Sequence, residues 1–177
     1  KLFDTDLVKI NDVLIGSSTT ASAASKAAAI NLLTAETGVT AKATTQLSVA
    51  VRMDTAPTAA AFEVQGVVLD MSGAKNTIAV IDIINASTSI GDIIASVSDS
   101  GRMVLTSASG QNIVLFSSED NLTLSVEDGN DSALATDPTD TFRAFGTINL
   151  SSADGSQIKL SEGNGDTIIT HAGLAKL

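Results

Sequence analysis

His171 is the one side chain in this sequence whose ordinary pKa lies near neutrality, so it is the first candidate for proton transfer. Acid-base or nucleophilic catalysis needs a second group converging on such a residue. The residues beside it, Thr170, Ala172 and Gly173, offer no titratable partner, and a surface position is expected. Asp128, Asn130 and Asp131 could supply oxygen ligands, but the glycine at the sixth place and the distant Glu of a calcium loop are missing. Gly163-Asn164-Gly165-Asp166 has the composition of one β-roll calcium turn, a site that requires stacked copies where this chain has one. No Gly-x-Ser-x-Gly elbow and no lysine-bearing phosphate loop occurs. No catalytic, cofactor-binding or metal-binding residue is therefore assigned, no cofactor is expected, and the chain is read as a non-enzyme.

Hydroxyl and amide groups remain as chemistry of another kind. Asn-x-Ser/Thr triplets start at Asn85, Asn121, Asn130 and Asn149, and such triplets arise easily in a chain rich in these residues. Ser17, Ser18, Thr19, Ser107, Ser109, Ser151 and Ser152 lie in stretches expected to form loops, where they are candidate acceptors for O-linked sugar. The competing role for each is turn and cap chemistry.

Composition narrows the classes further. Twenty acidic and ten basic residues give a net charge of −10, which repels nucleic-acid phosphate. There is no cysteine, hence no disulfide frame and no thiolate chemistry. With no Trp or Tyr and five Phe, the core must come from Ala, Val, Ile and Leu, and aromatic stacking platforms for sugars or bases are disfavoured. No apolar run approaches the roughly 18–20 residues of a membrane helix, and no membrane partner is expected. The start of the sequence lacks a charged-then-apolar signal segment. The chain is expected to be a piece of a longer protein.

The elements that would carry these residues follow from pattern. Leu7 to Ile15 and Phe62 to Met71 each read as a strand. Ser22 to Thr37 reads as a helix with Ala23, Ala27, Ile30 and Leu33 on one face, ended by a left-handed cap at Gly38. Val39 to Met53 reads as one long strand or two short ones. Lys75 to Ala86 is rich in β-branched residues, which favours strand, yet Ile78, Ile81 and Ile84 recur at a spacing of three. Ile93 to Ser98 and Arg102 to Thr106 form a hairpin about Gly101, followed by strands at 111–116, 122–126, 141–151, 157–161 and 167–170. The acidic stretch from Glu127 to Asp140 reads as a loop.

A repeat organises these elements. Shifting by 54 positions carries Ile10, Val13, Leu14 and Ile15 onto Val64, Val67, Val68 and Leu69, Ile30-Asn31 onto Ile84-Asn85, and Val39 onto Ile93. On this ground Lys75 to Ala86 is assigned as helix. A second offset of 45 relates Gly101 and Gly110, in a stretch read as a hairpin over 101–115, to Gly146 and Gly155 at 146–160. The first copy lacks such a continuation directly after its own strand. The expected organisation is therefore nested: an inner domain at 54–140 interrupts an outer one made of 1–53 and 141–177. The fold class is α+β, mostly antiparallel, with two short helices on sheets.

The residues that carry this repeat resemble the IN motif of bacterial flagellins. They are Ile10, Asn11, Val13, Ile15, Ile30, Asn31 and Gly38 in one copy, and Val64, Gly66, Val67, Ile84 and Asn85 in the other. The stretches around Gly101, Gly110, Gly146 and Gly155 are similar to its Leu-Thr-Ser-x-x-Gly continuation. Together the matches cover about two thirds of the chain. Asp12 stands where Gly is usual, Gln65 where Asn is usual, and Asp92 at the place of Gly38. The resemblance implies the outer, surface-exposed region of a flagellin: a structural, extracellular part of the flagellar filament serving motility. Its partners would be neighbouring copies of itself, with an export chaperone acting through terminal regions outside this sequence. A filament cap or hook-associated protein shares the motif and is the first alternative. An extracellular binding or adhesin module is the second.

Overall fold

The computed structural model describes residues 8–53, 62–117, 122–126, 133–134 and 141–162. His171, the 163–166 turn, the 167–170 strand, Asp128, Asn130, Asp131 and Asn121 lie outside the described residues.

Strands β1 (Val8–Ile10) and β2 (Val13–Ile15) pair antiparallel about Asn11-Asp12. The single strand expected over 7–15 is thus a hairpin. Asn11 and Asp12 take φ of 49° and 67°, the two left-handed residues of a tight hairpin turn, and short polar side chains tolerate that region best after glycine. The helix that follows is α1 (Ala23–Asn31), with a further turn α2 (Thr34–Thr37). Ser22 caps α1 by accepting the Ser25 amide, and Gly38 ends α2 at φ 69° while donating to the Thr34 carbonyl. Strand β3 (Val39–Met53) then runs unbroken for 15 residues with strict alternation at its start, Val39, Ala41 and Ala43 buried and Thr40 and Lys42 exposed.

The second copy repeats the plan. Strands β4 (Phe62–Val64) and β5 (Val67–Leu69) flank Gln65-Gly66 at φ 57° and 74°, so the strand expected over 62–71 is also a hairpin. Helix α3 (Thr77–Ala86) forms despite its β-branched residues, capped by Asn76, which accepts the Ala79 amide. That cap lies 54 residues after Ser22. The buried face is Val80, Ile81 and Ile84 rather than the spacing-three set, because Ile78 points outward and is 50% exposed. Turn α2 has no helical counterpart after α3. Strands β6 (Ile93–Val97), β7 (Met103–Ser107), β8 (Ile113–Ser117), β9 (Leu122–Val126), β10 (Ala133–Leu134) and β11 (Thr141–Ala144) follow. Strands β12 (Thr147–Ser152) and β13 (Leu160–Glu162) complete the described set, so the strand expected at 141–151 is two strands broken at Phe145-Gly146.

The pairings of β1 with β2 and β13, β3 with β9 and β12, β4 with β5 and β8, β6 with β7, β8 with β11 and β9 with β10 are antiparallel, which with few short helices makes this a mostly antiparallel α+β fold. Registers match between copies. Ile93 lies opposite Ser107 and Val97 opposite Met103; 54 and 45 positions away, Val39 lies opposite Ser152 and Ala43 opposite Ile148. Val64 opposite Leu115 corresponds in the same way to Ile10 opposite Leu160.

The stretches 101–115 and 146–160 are not hairpins. Strand β7 pairs with β6 while β8 pairs with β4 and β11; likewise β12 pairs with β3 and β13 with β1. Each stretch is a corner at which the chain leaves one sheet for another. The physical reason is burial: Met103 and Leu105 on one strand and Ile113 and Leu115 on the next enter the same core from different sheets.

Among the described residues, 8–45, 109–111 and 145–162 fall in one compact unit and 46–53, 62–108, 112–117, 122–126, 133–134 and 141–144 in the other. The expected junctions at 53/54 and 140/141 move to 45/46 and 144/145, since the second half of β3 and all of β11 pair with strands of the second unit. Each unit has its own core. That of the first is small-residue-rich, with Ile10, Ile15, Ala23, Ala27, Ile30, Val39, Ala41 and Ala43 buried. That of the second is larger and built around Phe62, Met71, Ile84, Ile90, Met103 and Leu105.

Candidate functional site

The amide side chains of the repeated motif make matching contacts in the two copies. Asn31, at the end of α1, accepts the Ala41 backbone N–H at 2.7 Å and donates to the Ala41 carbonyl at 2.9 Å. Asn85, at the equivalent place on α3, accepts the Ala95 N–H at 2.8 Å and donates to the Ala95 carbonyl at 2.9 Å. A primary amide offers one acceptor and two donors in a plane, so it can occupy a strand's N–H and C=O as a neighbouring peptide would. In each copy it does so across ten residues, tying helix to strand.

The turn residues form a second pair of clamps. The Asn11 backbone N–H donates to the Lys159 carbonyl at 2.9 Å, and the Lys159 N–H donates to Asn11 Oδ1 at 2.9 Å. Asn11 Nδ2 also reaches the Thr37 carbonyl at 2.8 Å, joining the hairpin to the end of α2. In the other copy the Gln65 N–H donates to the Val114 carbonyl at 2.9 Å and the Val114 N–H donates to Gln65 Oε1 at 3.0 Å. Gln65 Nε2 turns instead to the Asn112 carbonyl at 2.9 Å. The longer side chain keeps the ladder contact and changes the third partner.

Glycines complete the arrangement. Gly66 is the second left-handed turn residue, and Gly101, Gly110 and Gly155 also have positive φ. Gly110 alone among these four is hemmed in: a Cβ there would run into Ala43, and its carbonyl accepts the Ala24 amide at the start of α1 at 3.0 Å. Gly146 is crowded by Thr45, Ala23 and Thr44. Ile10, Ile15, Ile30, Val64 and Ile84 are buried core residues, while Val13 and Val67 are half-buried on the outer strands of their hairpins.

The candidate glycan acceptors divide sharply. Ser17, Thr19, Ser109 and Ser151 are exposed. Ser18 and Ser107 are corrected: they are 3% and 0% exposed, and their hydroxyls are used inside, Ser18 donating to the Thr20 carbonyl and Ser107 to the Asp92 carboxylate at 2.9 Å. Ser152 is half-buried, its hydroxyl donating to Asp154 at 2.6 Å. Asn85 is committed to Ala95 through both ends of its amide.

Among the described residues, no group of three or more His, Cys, Asp or Glu is placed to hold a metal, and no helix is long and apolar enough to cross a membrane. An open cavity of about 310 Å³ is lined by Glu63, Gly66, Val114, Phe116 and Thr141, with one titratable side chain. The Asp12–Lys159 ion pair, at 3.0 Å, has both side chains well exposed and is worth little in water. Asp154 is held low, to about 2, by the Ser152 hydroxyl and the Ser156 amide, and Asp70 is held low by the Ser72 hydroxyl and amide. Both are turn aspartates. The fold and these contacts define a doubled, amide-clamped α+β module. No protein-family model matches the chain, and no curated protein matches it.

Proposed function

We propose that this chain is the outer region of a flagellin, a structural part of the flagellar filament exposed on its surface. The observation that carries the reading is the use made of the motif's amides. Asn11 and Gln65 clamp strand ladders, and Asn31 and Asn85 clamp strand edges, in two copies with matching registers. Side chains spent on backbone in this way hold a scaffold together and are not free to meet a substrate. The hydroxyl-rich surface and the net charge of −10 suit a domain that must stay soluble when many copies are held close. The units supply bulk and surface; they catalyse nothing, and neighbouring copies of the same chain are their partners.

Antibody raised against the purified chain tests this on cells of the source organism. Gold label distributed along the whole filament is the expected result. Label confined to the filament tip or the hook junction would replace the reading with a cap or hook-associated protein. Label on other surface structures, with bare filaments, would favour the adhesin.

A further inference from the structure

Strands β11, β8, β4 and β5 form one sheet of the second unit, and its two faces differ. Phe142, Leu115, Val64 and Val67 make a row across it on the core side, with Leu115 and Val64 almost fully buried. One residue along, Thr141, Phe116, Glu63 and Val68 make the row on the opposite side. The open cavity of about 310 Å³ lies on that side. Glu63, Phe116 and Val114 are half-buried in its wall and Thr141 is exposed at its margin. Gly66 leaves it open, since even a Cβ there would meet nothing within 4 Å. Among the described residues, no cation pairs with the Glu63 carboxylate.

The first unit has the same framework with this surface filled. The positions 54 residues before Glu63 and Gly66 are Lys9 and Asp12, and those 45 after Val114 and Phe116 are Lys159 and Ser161. There the Lys159 ammonium meets Asp12 at 3.0 Å, bridging the two positions that are Val114 and Gly66 in the second unit. The second unit therefore has a carboxylate and an aromatic ring on this surface and lacks the lysine. The geometry points to the cavity as a binding site for a primary alkylammonium ion supplied from outside the chain. Its ammonium would lie against the Phe116 ring, between the Glu63 carboxylate and the Thr141 hydroxyl, and its alkyl chain would cover Val114 beside Gly66. Exposed Arg143 faces the same side, opposite Val114, so a ligand with a positive charge at each end is disfavoured. The site belongs to the second unit whichever larger assembly carries the chain.

The test titrates the isotope-labelled chain with butylammonium chloride at constant ionic strength and follows backbone amides by NMR. Saturable shifts are expected at Glu63, Gly66, Val114, Phe116 and Thr141, with none at Lys9, Asp12, Lys159 or Ser161. Glu63→Gln should weaken binding about ten-fold. Phe116→Leu, which stays apolar but loses the ring, should weaken it about two- to five-fold. Val114→Lys, which brings in the residue type found at position 159, should abolish it by placing the chain's own ammonium in the cavity. Amide dispersion checks that each variant folds; should Val114→Lys or Phe116→Leu not fold, Glu63→Gln carries the test. Shifts that do not saturate, or that spread over the acidic surface, overturn the inference. So does unchanged affinity in Glu63→Gln. Tighter binding of butane-1,4-diammonium than of butylammonium also overturns it, because attraction to the net negative charge alone would then explain the shifts.

Discussion

Gly110 and Gly155 occupy equivalent corners 45 residues apart, with φ of 78° and 75°, yet their surroundings are opposite. A Cβ at Gly155 meets nothing within 4 Å, whereas at Gly110 it would strike the Ala43 side chain and its backbone carbonyl carbon at 2.9 Å. Both belong to the first compact unit, so both substitutions report on the same folding transition. Alanine in the left-handed region costs about 1 kcal/mol, and that is the whole expectation for Gly155→Ala. At Gly110 the added methyl must also displace β3, on which Ala43 is buried; forcing a methyl into a packed site costs about 1–3 kcal/mol more. Gly110→Ala should therefore lose roughly 2–4 kcal/mol, two to four times the loss at Gly155. Urea unfolding read by far-ultraviolet circular dichroism is the suitable assay, because the chain has no Trp or Tyr to fluoresce. Equal losses at the two glycines would refute the close approach of the 109–111 turn to β3.

The second unit provides a matching contrast within one helix. Ile84 is fully buried and Ile78 half exposed, so Ile84→Ala should cost about 2–5 kcal/mol and Ile78→Ala well under half as much; similar losses would show that the buried face of α3 is misassigned. Asp154 should titrate at about 2 by carboxyl NMR, below its ordinary value of 3.8. Because the folded value is the lower one, its contribution to stability is present above about pH 4 and is lost as pH falls toward 2, a dependence absent in Asp154→Asn; titration near 3.8 would contradict the Ser152 and Ser156 hydrogen bonds.

Much of this fold is legible in the sequence because it is written twice. Local propensity alone would make the Ile-rich segment at 77–86 a strand; the match of Ile84-Asn85 to Ile30-Asn31 points to helix, and Asn76 caps it where Ser22 caps the first. What a repeat cannot reveal is an error shared by both copies. The turns at Asn11-Asp12 and Gln65-Gly66 interrupt segments that look like continuous strands, and the turn signal there lies in two residues with positive φ. The corners at Gly110 and Gly155 look like hairpins because two apolar strands flank a Ser-Gly turn; which sheet each strand joins is decided by contacts more than fifty residues away in one copy and a hundred in the other. Motif membership singles out Asn11, Asn31 and Asn85 without disclosing that their partners are backbone groups. Gln65, a departure from the usual Asn, performs the ladder contact of Asn11 nonetheless, because one extra methylene still brings Oε1 to the Val114 amide. The candidate hydroxyls at Ser18 and Ser107 show the reverse problem: loop-like composition does not report burial, and both face inward.

The proposed place of this chain in a filament can be measured directly. A helical reconstruction of native filaments from the source organism, at a resolution that separates strands, should show on the outer surface of every subunit two small α+β bodies, with β12 beside β3 in one and β7 beside β6 in the other. A filament wall carrying no such density would contradict the proposal that this chain forms the filament's exterior.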